Sequence, residues 1–257
     1  MSPAAGIHII PIRLDGEVLA GDDLVEKLRL ELRHQKLSLK AGDILVVKHK
    51  IVSKAEGRMV RLSEVKPSHW AKVWARESGA DARVLEIALA ESRCVVRKKM
   101  IGGRGILITE THHGFVCANS GVDLSNVDGG KKAVMLPRDP DGSAARLRSS
   151  IEKKFGVSVP VIITDSFGRA WREGLTEVAI GVAGMKSLAD HRGKRDPHGY
   201  VLHASAEAVA DSLACAAGLV CGKLNRTPFS IVRGFSYSRA RGTVRELIRA
   251  GENDLFR

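Results

Sequence analysis

Residues 93–118 (RCVVRKKMIGGRGILITETHHGFVCA) read as consecutive short strands joined by glycine turns, and this tract constrains the fold more than any other. A regularly alternating, doubly wound sheet has no place for it. Upstream, IHIIPIRL (7–14) and ILVVKHKIV (44–52) look like strands, and DDLVEKLRLELRH between them spaces its leucines at helical intervals after Asp22 and Asp23. Pro67 and Ser68 signal a further helix, PSHWAKVWARESG, which breaks at Gly79 before DARVLEIALAES. Downstream, DPDGSAARLRSSIEKKFG runs from a cap cluster to Gly156 as an amphipathic helix feeding VSVPVIITDS, an apolar strand that ends on an acid. HASAEAVADSLACAAGLVCG from 203 reads as a small-residue helix stopped at Gly222, before the strand FSIVRGF. The pattern predicts an α+β fold of mixed sheets with packed helices. We expect one unit spanning residues 1–257, any division into two subdomains falling near residues 90–95, where helical spacing gives way to strands.

The chain has 257 residues, 44% of them hydrophobic, enough for one large core or two packed subdomains. Its first residues alternate too quickly between apolar and charged for a signal peptide, and no stretch approaches the ~18 apolar residues of a membrane span, so a cytoplasmic protein without membrane attachment is expected. Cys94, Cys117, Cys215 and Cys221 form no CxxC pair and are read as reduced packing residues. The net charge of +12 raises the question of nucleic acid, but aromatic content is only 4% and the arginines are spread along the whole chain. The charge suits an anionic small substrate better.

Three tracts could carry chemistry. His49, Lys50 and, in the SKAEGR turn, Lys54 gather proton-bearing and cationic groups where a strand ends, and lysine neutralises phosphate without demanding planar geometry. A charged surface turn would have the same composition, and the tract is not a Walker loop. NSGVDLSNV (119–127) offers Asp123 and Asn126 in a glycine-containing loop, and ITDSFGRAWR (163–172) offers Asp165 and Ser166 at a strand end. These are hard oxygen ligands of the kind that hold magnesium or manganese beside nucleotide phosphates, if the fold brings them together; singly, each acid could equally be a turn or cap residue. Arg169 and Arg172 could steady an anionic substrate or line a helix face, while HRGKRDPHGY (191–200) reads as a surface or substrate loop, not a metal site.

KIVSKAEGR, HGFVCANSGVDLSNV, LPRDPDGSAARLR, VIITDSFGRAWREG, VAIGVAG, RGKRDPHGY, AVADSLACAAGLVCG and IVRGF, in this order, resemble the coenzyme F-420-0:L-glutamate ligase (F-420 γ-glutamyl ligase) family, from about residue 8 to residue 235. The resemblance implies an unusual α+β fold forming an intertwined homodimer. It also implies GTP-dependent addition of L-glutamate, with Mg or Mn, to the carboxylate of an anionic acceptor, the lactyl-phosphate tail of a deazaflavin, through an acyl phosphate. At residue level it implies that Asp123, Asp165 and Ser166 hold the divalent ions and that His49, Lys50, Lys54 and Asn126 contact the nucleotide, with Lys54 and Asp165 nearest the chemistry. One departure stands out: CGKLNRTPF puts Lys223 where the family places a Gln or Glu metal ligand. An ammonium has no lone pair for a metal, so Lys223 is expected to contact nucleotide phosphate, with one metal position altered or missing. A paralogue using another acceptor, such as a folate-like cofactor, or a nucleotide-binding homologue with altered chemistry, would share these motifs.

Overall fold

The computed structural model describes residues 6–125, 128–222 and 224–254. In chain order the strands are β1 (His8–Ile12), β2 (Ile44–Lys48), β3 (Met59–Arg61), β4 (Ser92–Ile101), β5 (Arg104–Thr111), β6 (Val116–Ala118), β7 (Lys132–Val134), β8 (Val161–Arg169), β9 (Arg172–Ala183), β10 (Ala189–Asp190), β11 (Ala206–Glu207) and β12 (Phe229–Arg233). The helices are α1 (Leu24–His34), α2 (His49–Ala55), α3 (His69–Ser78), α4 (Ala82–Ala90), α5 (Pro140–Phe155) and α6 (Val209–Cys221). The chain is thus a mixture of helices and several separate sheets, as the sequence pattern predicts.

The main sheet has the order β1-β12-β2-β8-β9, and only β2 and β8 run parallel, because the chain between them makes a long excursion that includes α5. β2 is apolar without alternation because both its faces are covered. Leu45 and Val47 join Leu28 of α1, Val52 of α2 and Ile151 of α5 on one face, whereas Ile44 and Val46 join Ala210, Leu213 and Ala217 of α6 on the other. The small residues of α6 let it pack closely on this second face.

Local signals set the helix ends. Asp23 caps α1 by accepting from Val25 and Glu26 N–H, Ser68 caps α3, and Asp139 caps α5 by accepting from Gly142 N–H. Gly79 and Gly156 end α3 and α5 in the left-handed region, at φ of 67° and 70°. Two expected boundaries are corrected. The strand expected over 44–52 stops at Lys48 and α2 starts at once, so SKAEGR opens within a helix. The helix expected from 203 begins only at Val209, because Ala206 and Glu207 pair with β10 instead.

Between α2 and α5 lies a module with its own core of Leu62, Trp74, Leu85, Leu107 and Ala133. It holds α3, α4, the β3–β7 pair and the antiparallel β4-β5-β6 sheet formed by the glycine-turn tract. All four cysteines are free thiols, but Cys94 on β4 is exposed, so it does not pack as expected. Among the described residues no helix is long and apolar enough to cross a membrane.

Arg233 at the end of β12 ties the main sheet to the turn before β2. Its Nε and Nη2 donate to Asp43 Oδ1 and Oδ2, each at 2.8 Å, and Nη2 donates to Ser38 O at 2.9 Å. Asp43 is 1% exposed, so deleting its carboxylate would leave the guanidinium without its counter-charge. Asp43→Ala is expected to cost about 3 kcal/mol of folding stability in chemical denaturation.

Candidate active site

The C-terminal ends of β2 and β8 open into a cavity of about 380 Å³. Parallel pairing sets Lys48 beside Thr164, and the next residues of each strand turn into the cavity. Three consecutive residues at the junction of β2 and α2 then meet three carboxylates from separate parts of the chain. Lys48 Nζ lies 2.5 Å from Glu177 Oε1, His49 Nε2 lies 3.2 Å from Asp165 Oδ1, and Lys50 Nζ lies 2.6 Å from Asp123 Oδ2. The His49–Asp165 approach is short but poorly aligned for a hydrogen bond.

Hairpin register brings the fourth group. Ser166 of β8 faces Glu177 of β9, and its hydroxyl donates to Glu177 Oε1 at 2.6 Å. Glu177 lies against Gly218 of α6, where a Cβ would come within 2.6 Å of its Cγ, so the small-residue helix makes room for this carboxylate. Asp123 arrives by a different route. Asn119, Ser120 and Gly121 all take the left-handed conformation, at φ of 50°, 54° and 71°, which costs about 1–2 kcal/mol for each residue other than glycine. Buried contacts offset that cost: Ser120 Oγ donates to Ala88 O at 2.7 Å, and Ser120 N–H donates to Thr109 Oγ1 at 2.9 Å. Asp123 then accepts from Ser125 N–H at 2.6 Å, and Lys50 Nζ donates to Ser125 Oγ at 2.7 Å.

Burial works to raise all three carboxyls, yet each is held below its ordinary value. At Asp165 the charge of His49 leads the opposing effects, with the Ser166 N–H and Lys50 behind it. At Glu177 it is the charge and hydrogen bond of Lys48, and at Asp123 the hydrogen bonds from Lys50 and Ser125. Cys117, beneath Asp165, shows the opposite result: burial and then the Asp165 charge push its thiol up to about 12, so it stays protonated.

The structure therefore brings His49, Lys50, Lys54, Asp123, Asp165 and Ser166 into one cavity. Lys54 reaches it from α2, with Nζ 3.0 Å from Glu17 Oε2. Asn126 and Lys223, the other expected nucleotide contacts, lie outside the described residues. Arg169 and Arg172 do not line a helix; they face each other at the tip of the β8–β9 hairpin. Sequence reasoning missed Lys48, Glu177, Thr164 and Ser125. Lys48 is signalled as the charge that ends an apolar strand, whereas Glu177 lies in the middle of β9 and only the hairpin register shows that it meets Ser166.

The donor set of Asp123, Asp165, Ser166 and Glu177 is all hard oxygen, and the buried Glu177 Oε2 has no well-aligned hydrogen bond. Among the described residues no three His, Cys, Asp or Glu side chains converge as a self-sufficient metal cage. Magnesium bound with a nucleotide takes one or two carboxylates and completes its shell from phosphates and water, so these residues fit that kind of site and not a structural one.

A cleft with hard-oxygen donors at its centre and lysines interleaved among them is the equipment of an enzyme that handles a polyanionic substrate. Comparison with known proteins makes the assignment specific: the F420-0:Gamma-glutamyl ligase family model matches residues 12–234, and the chain belongs to that family. It is 42% identical to the coenzyme F420:L-glutamate ligase of Methanothermobacter thermautotrophicus, covering 98% of this chain and 99% of that one. It is 43% identical to the enzyme of the same name from Methanopyrus kandleri, covering 98% of each. With that of Methanocaldococcus jannaschii it shares 39% identity over 96% of this chain and 94% of the other.

Because their folded values are depressed, Asp123, Asp165 and Glu177 add stability that is present above the ordinary carboxylate range of about 4 and is lost as pH falls through their folded values. Asp165→Asn is expected to flatten this acid limb, measured as denaturation free energy between neutral pH and about pH 3.

Proposed function

We propose that the protein is a GTP-dependent glutamate ligase of coenzyme F-420 assembly. It would join L-glutamate by an amide bond to the carboxylate of an anionic deazaflavin precursor, coenzyme F-420-0, with Mg or Mn bound. The observation that carries this reading is the meeting of the β2–α2 cations with Asp123, Asp165 and Glu177 in one cleft, in a chain related along nearly its whole length to coenzyme F420:L-glutamate ligases.

The acceptor carboxylate oxygen attacks the γ-phosphorus of GTP, the P–O bond to GDP breaks, and an acyl phosphate forms. The glutamate amine then attacks the acyl carbon, inorganic phosphate leaves, and the nitrogen gives up a proton. Lys50 and Lys54 would exchange their carboxylate partners for phosphate oxygens and neutralise charge during transfer. Asp123, Asp165, Ser166 and Glu177 would hold the divalent ion, which supplies further charge neutralisation at the phosphates. His49 would keep Asp165 ionised and oriented. Leu175 and Leu224 at the rim, 61% and 88% exposed, are apolar walls that a bound substrate would cover, keeping water from the acyl phosphate.

The intertwined homodimer and the cytoplasmic setting belong to the same reading. β4 carries Val95, Met100 and Ile101 exposed, side chains that a second copy would cover.

Incubation with GTP, Mn, L-glutamate and a panel of carboxylate acceptors, followed by mass spectrometry, tests the proposal. A glutamyl increment on the deazaflavin acceptor is expected, and an increment confined to a folate-like acceptor would redirect the assignment. No increment on any acceptor, with folded protein that binds GTP, would overturn it. Lys50→Ala and Asp165→Asn are each expected to lower kcat by about 10²-fold or more.

A further inference from the structure

At the other end of the main sheet lies a second cavity, of about 460 Å³, where β8 begins and β9 ends. Arg148 of α5, Arg239 and Arg241 line it with Ser158 and Tyr237, and none of its lining residues is acidic. Like charges are gathered here without the compensation found in the active-site cleft, where among the described residues every cation has a carboxylate beside it. Among the described residues no carboxylate pairs with any of the three guanidiniums.

The cluster is held in place. Arg148 Nη2 donates to Ser158 Oγ at 2.6 Å, while its Nε is buried and has no hydrogen-bond partner. Gly184 allows the guanidinium to lie this deep: its φ is +89°, and a Cβ there would come within 2.6 Å of Arg148 Nε. The segment bearing the other two arginines is fastened to the sheet end, since Gly184 N–H donates to Arg241 O at 3.0 Å and Lys186 N–H donates to Ser238 O at 2.9 Å. Arg239 and Arg241, on either side of a bend at Ala240, both line the cavity. A buried donor without an acceptor, and three unopposed guanidiniums around a space large enough for a small molecule, call for a ligand that brings acceptors and negative charge.

We propose that Arg148, Arg239 and Arg241 form a binding site for a small multivalent oxyanion, one bearing phosphate or carboxylate groups, separate from the active-site cleft. Planar guanidiniums pair two N–H groups with two oxygens of such an anion, and Ser158 and Tyr237 offer hydroxyls beside them. The site lies at the N-terminal end of β8 and the cleft at its C-terminal side, so one strand separates the two occupants.

Tyr237 gives a local reporter, one of only two tyrosines in the chain. Ring-labelled full-length protein would be titrated with inorganic pyrophosphate and separately with citrate by NMR, the Tyr237 signal being assigned with Tyr237→Phe. We expect a saturable shift of Tyr237. The affinity should fall about tenfold or more in the Arg239→Gln/Arg241→Gln double variant and be partly restored in Arg239→Lys/Arg241→Lys. It should be unchanged in Lys50→Ala, which alters only the cleft. Both glutamine substitutions are at exposed positions, so the fold is expected to survive them. Response to pyrophosphate alone assigns the site to phosphate groups and response to citrate alone to carboxylates; either supports it. No saturable shift with either anion, an unchanged affinity in the double glutamine variant, or a shift lost in Lys50→Ala would overturn the proposal.

Discussion

The register between β2 and β8 is the constraint on which the cleft depends. A parallel pair needs a long connection, and the chain meets that need with the module and α5 that lie between the two strands. The module supplies Asp123 from its left-handed turn, and β8 supplies Asp165 and Ser166. Both arrive beside Lys48, His49 and Lys50 because Lys48 pairs with Thr164. Slipping β2 by one residue would exchange its two buried faces, moving Leu45 and Val47 away from α1 and α5 and toward α6. The packing of both layers therefore fixes the register, and the register fixes which cation meets which carboxylate.

Gathering that many charges in a partly buried place is costly unless each has a partner. The three consecutive residues Lys48, His49 and Lys50 supply partners for Glu177, Asp165 and Asp123, and the depressed carboxyl values show that pairing outweighs burial at all three. On the proposed function, the same arrangement would prepare for a phosphate-bearing substrate. A lysine on a flexible stem can leave a carboxylate for a phosphate oxygen, and the carboxylate it leaves is then open to a cation. Exchange within a set of balanced charges avoids the desolvation of an isolated ion in either state.

How far the sequence discloses this differs from element to element. α1, α3 and α5 are legible because their ends carry local devices, Asp23, Ser68 and Asp139 as N-caps and Gly79 and Gly156 at C-termini. α2 is not, since Lys48 at its N-cap makes no side-chain capping bond and the apolar run of β2 continues into Ile51 and Val52. The start of α6 is obscured for a related reason: HASAEA is as rich in small residues as the helix itself, and only pairing with β10 removes Ala206 and Glu207 from it. Asp123, Asp165 and Ser166 could be singled out because each sits in a tract with a recognisable chemical character. Glu177 could not, because its proximity to Ser166 is a product of hairpin register and of the space left by Gly218.

The two ends of β8 also differ in how they treat charge. At the cleft, cations and carboxylates balance one another within the protein; at the arginine cavity the balancing charge must come from outside. Val161, Ile162 and Ile163 of the strand between them are fully buried and packed from both sides, so a shift of this strand would disturb both cores. An anion at Arg148, Arg239 and Arg241 would relieve repulsion among the guanidiniums and bind only the folded chain, which contributes stability by mass action without reshaping the cleft. Its physical effect would thus fall on the fold as a whole, through the segment that Gly184 and Lys186 hold against the sheet.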